Sequence, residues 1–428
     1  MSRSPAAYPA PGDTPPVRPE GEPPSLPIGT VLLHIGPPKT GTTALQGAFW
    51  NARAALAAQG VRYAGGVRVP VMAAMAALQQ TPRGRATPPP IRLWTAIVRE
   101  VRAARDARSV ISCETFAQAD DAAAARVVAD LGAHRTHVLV TLRPLDRLLA
   151  SQWQQSAQHG LALSFEDWLH AIFDRPTAWP GKAFWHVRGD RLVRRWAQAA
   201  GAANVTVMVV DDRDRDRHFR DLEALLALPA KALVPDVDRA NRSLTADEVA
   251  VLQAVRKGFD AHGLSVDDYV GLISTRATLH VKRRTPLPVE RRIDVPDWAV
   301  DRAAAMSREI VAAIAASGVR VLGDLDILAP SVTPAAPGDQ APSVTPAASA
   351  APGDQAVPMV PLDVAAQVAM GIVLASGSAG GSSAVGDPWA RRTLATELPL
   401  VRLVALLVLG VTARVRRRFS RPRGQSGS

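Results

Sequence analysis

One cysteine, Cys113, stands in a chain of 428 residues. A lone thiol leaves no intramolecular disulfide to form and fits a reducing compartment. Other absences narrow the field further. The nine histidines are scattered, without an HExxH motif or any paired spacing, so no metal site is expected. The N-terminus is proline-rich and has no apolar core, so no secretory leader is expected and the chain reads as cytoplasmic. No apolar run approaches the ~20 residues that cross a bilayer. The tail stretch Leu403–Ala413 holds only eleven residues without a charge.

Charge of one sign is also missing where a nucleic-acid groove would need it. The net charge is +11, but residues 391–428 carry nine arginines against one acid, Glu397, which leaves only +3 for the rest. Basic character confined to a tail beside an apolar run suits an anionic membrane surface better than nucleic acid. The expected state is an interfacial helix, peripheral on the inner membrane face. The plain alternative is a small docking helix with a solvated basic tail.

Composition divides the chain. Residues 1–28 contain nine prolines and little apolar periodicity, and read as disordered. Residues 29–329 alternate strand and helix patterns, as an α/β domain does. Residues 330–361 repeat Ser-Val-Thr-Pro-Ala-Ala twice with a shared Pro-Gly-Asp-Gln-Ala ending, and read as a semi-stiff linker. Residues 362–428 hold apolar segments, a Gly/Ser-rich spacer at 379–388 and the arginine-rich tail.

The chemistry concentrates at three strand ends. The apolar strand Val31–Ile35 runs into a loop bounded by Gly36 and Gly41, and a helix opens at about Thr42. Backbone N–H groups and a helix N-terminus then converge on one point, which is how a loop holds a phosphate. The loop is not a Walker A sequence: Thr42 occupies the position that lysine takes there, and Lys39 lies in mid-loop. A second strand, Val138–Leu142, ends at Arg143-Pro144, with Ser151 two helical turns on and Trp153 beyond it. A forked cation plus a hydroxyl is what a phosphate dianion takes. The third strand, ending at Ser112, is followed by Cys113 and Glu114.

The loop Lys39-Thr40-Gly41-Thr42-Thr43, with Arg143 and Ser151 about a hundred residues later, resembles the bacterial sulfotransferases that use 3′-phosphoadenylyl sulfate (PAPS). The resemblance covers about residues 29–329. It implies an α/β fold with a P-loop-type parallel β-sheet flanked by helices, in a single catalytic domain. It implies that Lys39, Thr40, Gly41, Thr42 and Thr43 hold the 5′-phosphosulfate, that Lys39 also stabilises the leaving group, and that Arg143 and Ser151 hold the 3′-phosphate. It implies that Glu114 is the base that deprotonates the acceptor, where a plain reading makes it a helix-capping or ion-paired carboxylate. The acceptor expected is a hydroxyl, or less readily an amine, on a carbohydrate or glycolipid, with PAPS as donor and no metal. Trp153 stands where the family more usually has Tyr.

Other segments carry weaker signals. Val209-Val210-Asp211-Asp212 imitates a Walker B strand but lacks the partner lysine. Arg256-Lys257-Gly258 imitates another 3′-phosphate motif but falls late in an amphipathic helix. Asn241-Arg242-Ser243-Leu244 and Gly323-Asp324-Leu325 resemble segments of bacterial sulfotransferases without a derivable role. Trp168, Trp179, Phe184 and Trp185 suit an acceptor site or a core equally. Two other functions fit parts of the pattern: a P-loop kinase using ATP and Mg²⁺, and a non-enzymatic nucleotide-binding scaffold at the membrane.

Overall fold

The computed structural model describes residues 25–82, 85–174, 188–235, 242–329 and, past the linker, 360–361, 364–365 and 367–369. The readings for residues 1–24, for most of the repeat linker and for the arginine-rich tail lie outside the described residues, as do Trp179, Phe184, Trp185 and Asn241.

The frame is a six-stranded sheet, all parallel. In chain order the elements are β1 (Val31–Ile35), α1 (Thr42–Ala58), β2 (Val61–Tyr63), α2 (Val71–Ala77), α3 (Arg92–Ala103), β3 (Arg108–Ser112), α4 (Asp121–Leu131), β4 (Thr136–Leu142), α5 (Leu145–Gln158), α6 (Phe165–Asp174), α7 (Gly189–Ala200), β5 (Val205–Val209), α8 (Arg217–Leu225), α9 (Ala246–Ala261), α10 (Val266–Tyr269), α11 (Thr278–Arg283), α12 (Asp297–Ala315) and β6 (Arg320–Leu322). In space the strands run β2-β3-β1-β4-β5-β6. The central strands are near-continuous Val, Ile and Leu runs, as expected where both faces are covered.

Alternation along the strands sorts the side chains into two cores. Val31, Leu33, Ile35, Ile111, Val138, Val140 and Val207 pack with Val127, Leu131 and Trp196 of α4 and α7. Leu32, Val110, Leu139 and Met208 face the other way, against Leu45, Phe49, Leu222 and Leu225 of α1 and α8. A third core is purely helical and joins α5, α6, α9, α10 and α12. Val364 and Val368, beyond the linker, are buried in it, and Gln367 Oε1 lies 3.2 Å from His280 Nε2.

The strands expected at Val31–Ile35, at Val138–Leu142 and up to Ser112 form there, and the helix expected from about Thr42 starts at that residue. The short edge strands β2 and β6 were not foreseen, nor was the turn of π-helix Val270–Ala277 that links α10 to α11.

The strand order places the site. The chain leaves β1, builds β3 and β2 on one side, then crosses to build β4, β5 and β6 on the other. β1 therefore lies between β3 and β4, at the point where the order reverses. Ligands of open parallel sheets bind in the crevice beyond the carboxyl ends of the strands at such a point.

Candidate functional site

The three motif-bearing strand ends are neighbours: the 36–41 loop follows β1, Glu114 follows β3, and Arg143 follows β4. Glu114 and Arg143, 73 and 102 positions beyond Gly41, thus share one edge of the sheet with the loop.

The loop is tied down from beneath. Thr40 is fully buried. Its hydroxyl donates to the Pro37 carbonyl at 2.8 Å and lies 3.0 Å from Thr141 Oγ1 on β4. Gly36 has to be glycine, because a Cβ there would sit 2.1 Å from Thr141 Oγ1. Gln152, on α5, donates to the Pro38 carbonyl at 2.8 Å. Lys39 itself has φ 76 and Gly41 φ 83. Left-handed backbone is unusual for a non-glycine residue and costs energy, so the surrounding contacts must hold Lys39 in it.

The loop opens onto the start of α1. Gly41 is its N-cap and no side chain caps the first turn, which leaves N–H groups of a 17-residue helix free to meet an anion. Thr42 is buried and Thr43 exposed. No hydrogen bond or ion pair engages the Lys39 ammonium among the described residues. Burial first, then the nearby Arg143 charge, pushes its pKa below the ordinary lysine value.

Arg143 abuts the loop, with Nη1 3.5 Å from the Lys39 carbonyl. Its guanidinium is also engaged by Asp212, just past β5, with Nε 3.2 Å from Oδ2. No sequence pattern links Asp212 to Arg143, and a phosphate would have to displace the aspartate or share the arginine with it. Asp211 instead pairs with Arg213 at 3.0 Å. Ser151 lies on α5, and its hydroxyl donates to the Leu148 carbonyl one turn back, at 3.0 Å. Its neighbour Gln152 is the α5 residue that reaches the loop.

Glu114 is half-buried and accepts a hydrogen bond from Gln46 Nε2 of α1 at 2.9 Å. It pairs with no arginine among the described residues. Gln46 is buried and fixes the carboxylate against the helix that starts at the loop. Cys113 beside it is fully buried, and burial raises its thiol pKa to about 12, so it is a small core residue and no nucleophile.

Two other segments have plain roles. Arg256 donates to the Gly160 carbonyl at 3.1 Å and pairs with Asp260 at 2.6 Å, so it serves packing between α5 and α9. Arg242 joins a buried network: it meets Glu248 through both terminal nitrogens, at 2.8 and 2.7 Å. Arg284 meets the same Glu248 at 2.8 Å and Glu290 at 2.6 Å. Trp168 is fully buried in the helical core. No group of three or more His, Cys, Asp or Glu is placed to hold a metal ion among the described residues. No helix among them is long and apolar enough to cross a membrane.

The sequence reading missed Gln46, Gln152, Asp212 and Lys282. Lys282 is half-buried on α11, and burial is the main cause that pushes its pKa down to about 8. It occurs in the run His280-Val281-Lys282-Arg283-Arg284, which reads as a solvated charge cluster. Only its position two residues from an arginine bound to buried carboxylates could have singled it out.

Comparison with known proteins gives one structural likeness. The crystal structure of a sulfotransferase from Alicyclobacillus acidocaldarius overlaps the chain with a TM-score of 0.35 at 16% identity, over 56% of this chain and 97% of that one. No family model and no curated protein matches the chain.

Proposed function

We propose that the chain is a sulfotransferase that moves the sulfuryl group of PAPS to a hydroxyl, or less readily an amine, of a carbohydrate or glycolipid. The observation that carries this reading is the juxtaposition at the switch point of the sheet. An unpaired mid-loop lysine, an uncapped helix N-terminus, an arginine against the loop and a carboxylate held by α1 meet on three adjacent strands.

Each residue has a role that its setting supports. Gly41, Thr42 and Thr43, with the first-turn amides of α1, hold the 5′-phosphosulfate, and Thr40 holds the shape of the loop. Arg143 and Ser151 hold the 3′-phosphate. Glu114 takes the proton of the acceptor hydroxyl as its oxygen attacks sulfur. The bond between sulfur and the 5′-phosphate oxygen breaks, and Lys39 stabilises the charge that gathers on that oxygen. The products are the sulfate ester and adenosine 3′,5′-bisphosphate. No metal enters this scheme. The arginine-rich segment 391–428 would bring the enzyme to anionic lipid, so the full chain should co-sediment with anionic vesicles and be released by salt.

Turnover measures the reading directly. Bisphosphate release from PAPS is followed with a panel of hydroxylated acceptors. Glu114→Gln should lower kcat by about 10²–10⁴-fold while bisphosphate affinity stays near wild type. Full turnover by that variant with a hydroxyl acceptor would place the base elsewhere and leave Glu114 a structural carboxylate.

A further inference from the structure

A fourth strand end reaches the same crevice. β2 pairs with β3 at the edge of the sheet, with Tyr63 opposite Val110, and the chain continues as the loop 64–70. Contacts from three sides build that loop. Tyr63 Oη donates to the Arg68 carbonyl at 2.6 Å. The Gly65 N–H donates to Glu100 Oε2 of α3 at 3.0 Å. Tyr63 is buried, and its ring stacks on Phe49 of α1, with centroids 5.3 Å and planes 4° apart. So held, the loop turns the half-buried Arg68 onto α1, where its Nη2 donates to the Thr43 carbonyl at 3.1 Å.

That bond fixes which end of the crevice Arg68 serves. The carbonyls of an α-helix point toward its C-terminus, and its first N–H groups point the other way. A guanidinium on the Thr43 carbonyl therefore lies alongside the first turn of α1, not over the amides that would receive the phosphosulfate of the donor. Glu114 approaches α1 from the neighbouring strand end, through Gln46 Nε2 at 2.9 Å. Thr43 and Gln46 are three residues apart, so they lie side by side on one face of the helix, roughly 5–6 Å between Cβ atoms. Arg68 and Glu114 thus meet the same two turns of α1 from adjacent strands. A second carboxylate brought beside Glu114 would be repelled unless a cation met it. Arg68 supplies that cation, in a planar fork that matches a carboxylate.

We propose that Arg68 binds a carboxylate of the acceptor, so that the acceptor is an acidic sugar, a uronic acid unit whose reacting hydroxyl faces Glu114. The proposal rests on the sulfotransferase reading, since only there does Glu114 mark the acceptor end. Arg68 would seat the sugar with its acid group against α1 and its hydroxyl against the base. A neutral sugar or glycolipid lacks the group that fixes this orientation.

The test is calorimetry on the full chain saturated with adenosine 3′,5′-bisphosphate. The probes are unsulfated chondroitin tetrasaccharide and the same tetrasaccharide with its carboxylates reduced to alcohols. The wild type should bind the acidic form about tenfold or more tightly than the reduced form, as a charge-assisted contact would give. Arg68→Gln should abolish that preference, and Arg68→Lys, which keeps the charge without the fork, should retain part of it. Bisphosphate binding by each variant shows that the crevice is still folded. An arginine that only anchors the loop would leave the preference intact in Arg68→Gln, which overturns the proposal. Equal affinity for the two sugars in the wild type, or binding of neither, also overturns it, and bisphosphate binding in the same titration leaves the sulfotransferase reading standing. Weaker bisphosphate binding in Arg68→Gln with an unchanged sugar preference would assign Arg68 to the donor and overturn it too. A wild type that does not bind the bisphosphate discards the reading and the proposal together.

Discussion

The helical core and the edge of the sheet treat their cations in opposite ways. In the helical core, Arg242 and Arg284 converge on Glu248 and Glu290, and Arg291 meets Asp247 at 2.6 Å. Charge is neutralised within the protein, and both glutamates are fully withdrawn from solvent. At the sheet edge, the Lys39 ammonium has no carboxylate partner among the described residues, and Arg143 pairs with Asp212, whose side chain is 43% exposed. Neutralised charge builds the frame; charge left over is what the frame offers to a ligand. The same contrast separates Arg256, whose partners are Asp260 and the Gly160 carbonyl, from the arginine beside the loop.

The comparison can be broken most sharply in the network. Glu248→Ala should strand the Arg242 guanidinium, leave Arg284 with Glu290 alone and remove one half of the capping box at the start of α9. The expected loss is about 3–5 kcal/mol, read as a lower denaturation midpoint in urea. A loss under about 1 kcal/mol would mean that the network is not what holds the helical core.

At the sheet edge the same kind of change should spare stability and remove function. Lys39→Ala should lower kcat by about 10²-fold with an unchanged or raised melting temperature, since the ammonium is partly desolvated and unpaired among the described residues. A destabilised variant with normal turnover would invert the assignment.

Asp212→Asn probes the intermediate case. Freed from its carboxylate, Arg143 should bind the 3′-phosphate about two- to fivefold more tightly, the range expected for releasing a partly exposed pair. Weaker bisphosphate binding would mean that Asp212 orients Arg143 instead of competing for it.

Acidification probes the buried histidines. Burial lowers the pKa of His34 to about 3 and of His137 and His218 to about 4. The unfolded chain takes up these protons near pH 6.5 and the folded one does not, so stability should decline from about pH 6.5 downward toward pH 4. Denaturation midpoints between pH 7 and 4 measure it. A flat profile would mean that the histidines are not held neutral.

What the sequence disclosed follows from what is contiguous in it. β1, the 36–41 loop and α1 form one uninterrupted segment, so the glycine spacing, the mid-loop lysine and the helix start were all legible. Arg143 and Glu114 were found because each follows an apolar strand. Their adjacency was only implied, and it depends on β1 lying between β3 and β4. The rest is tertiary. Gln46 and Gln152 act on residues 68 and 114 positions away. Asp212 could not be matched to Arg143 before β4 and β5 were paired. Lys282 lies in a basic run, His280 to Arg284, whose Arg284 turns to buried carboxylates. β2 and β6 escaped notice because three-residue strands carry too little periodicity to register. The valines at 364 and 368 could not be assigned to the helical core across a proline-rich linker.

The central claim is that unpaired charge at the sheet edge marks the place of a doubly phosphorylated nucleotide. The measurement that meets it most directly is calorimetry of the full chain, without metal, against adenosine 3′,5′-bisphosphate, AMP and ATP–Mg²⁺. The account predicts that the bisphosphate binds more tightly than either of the others, and that Arg143→Ala removes about 2–4 kcal/mol of that affinity while leaving AMP binding nearly unchanged. Equal affinity for AMP and the bisphosphate, or a preference for ATP–Mg²⁺, would contradict it.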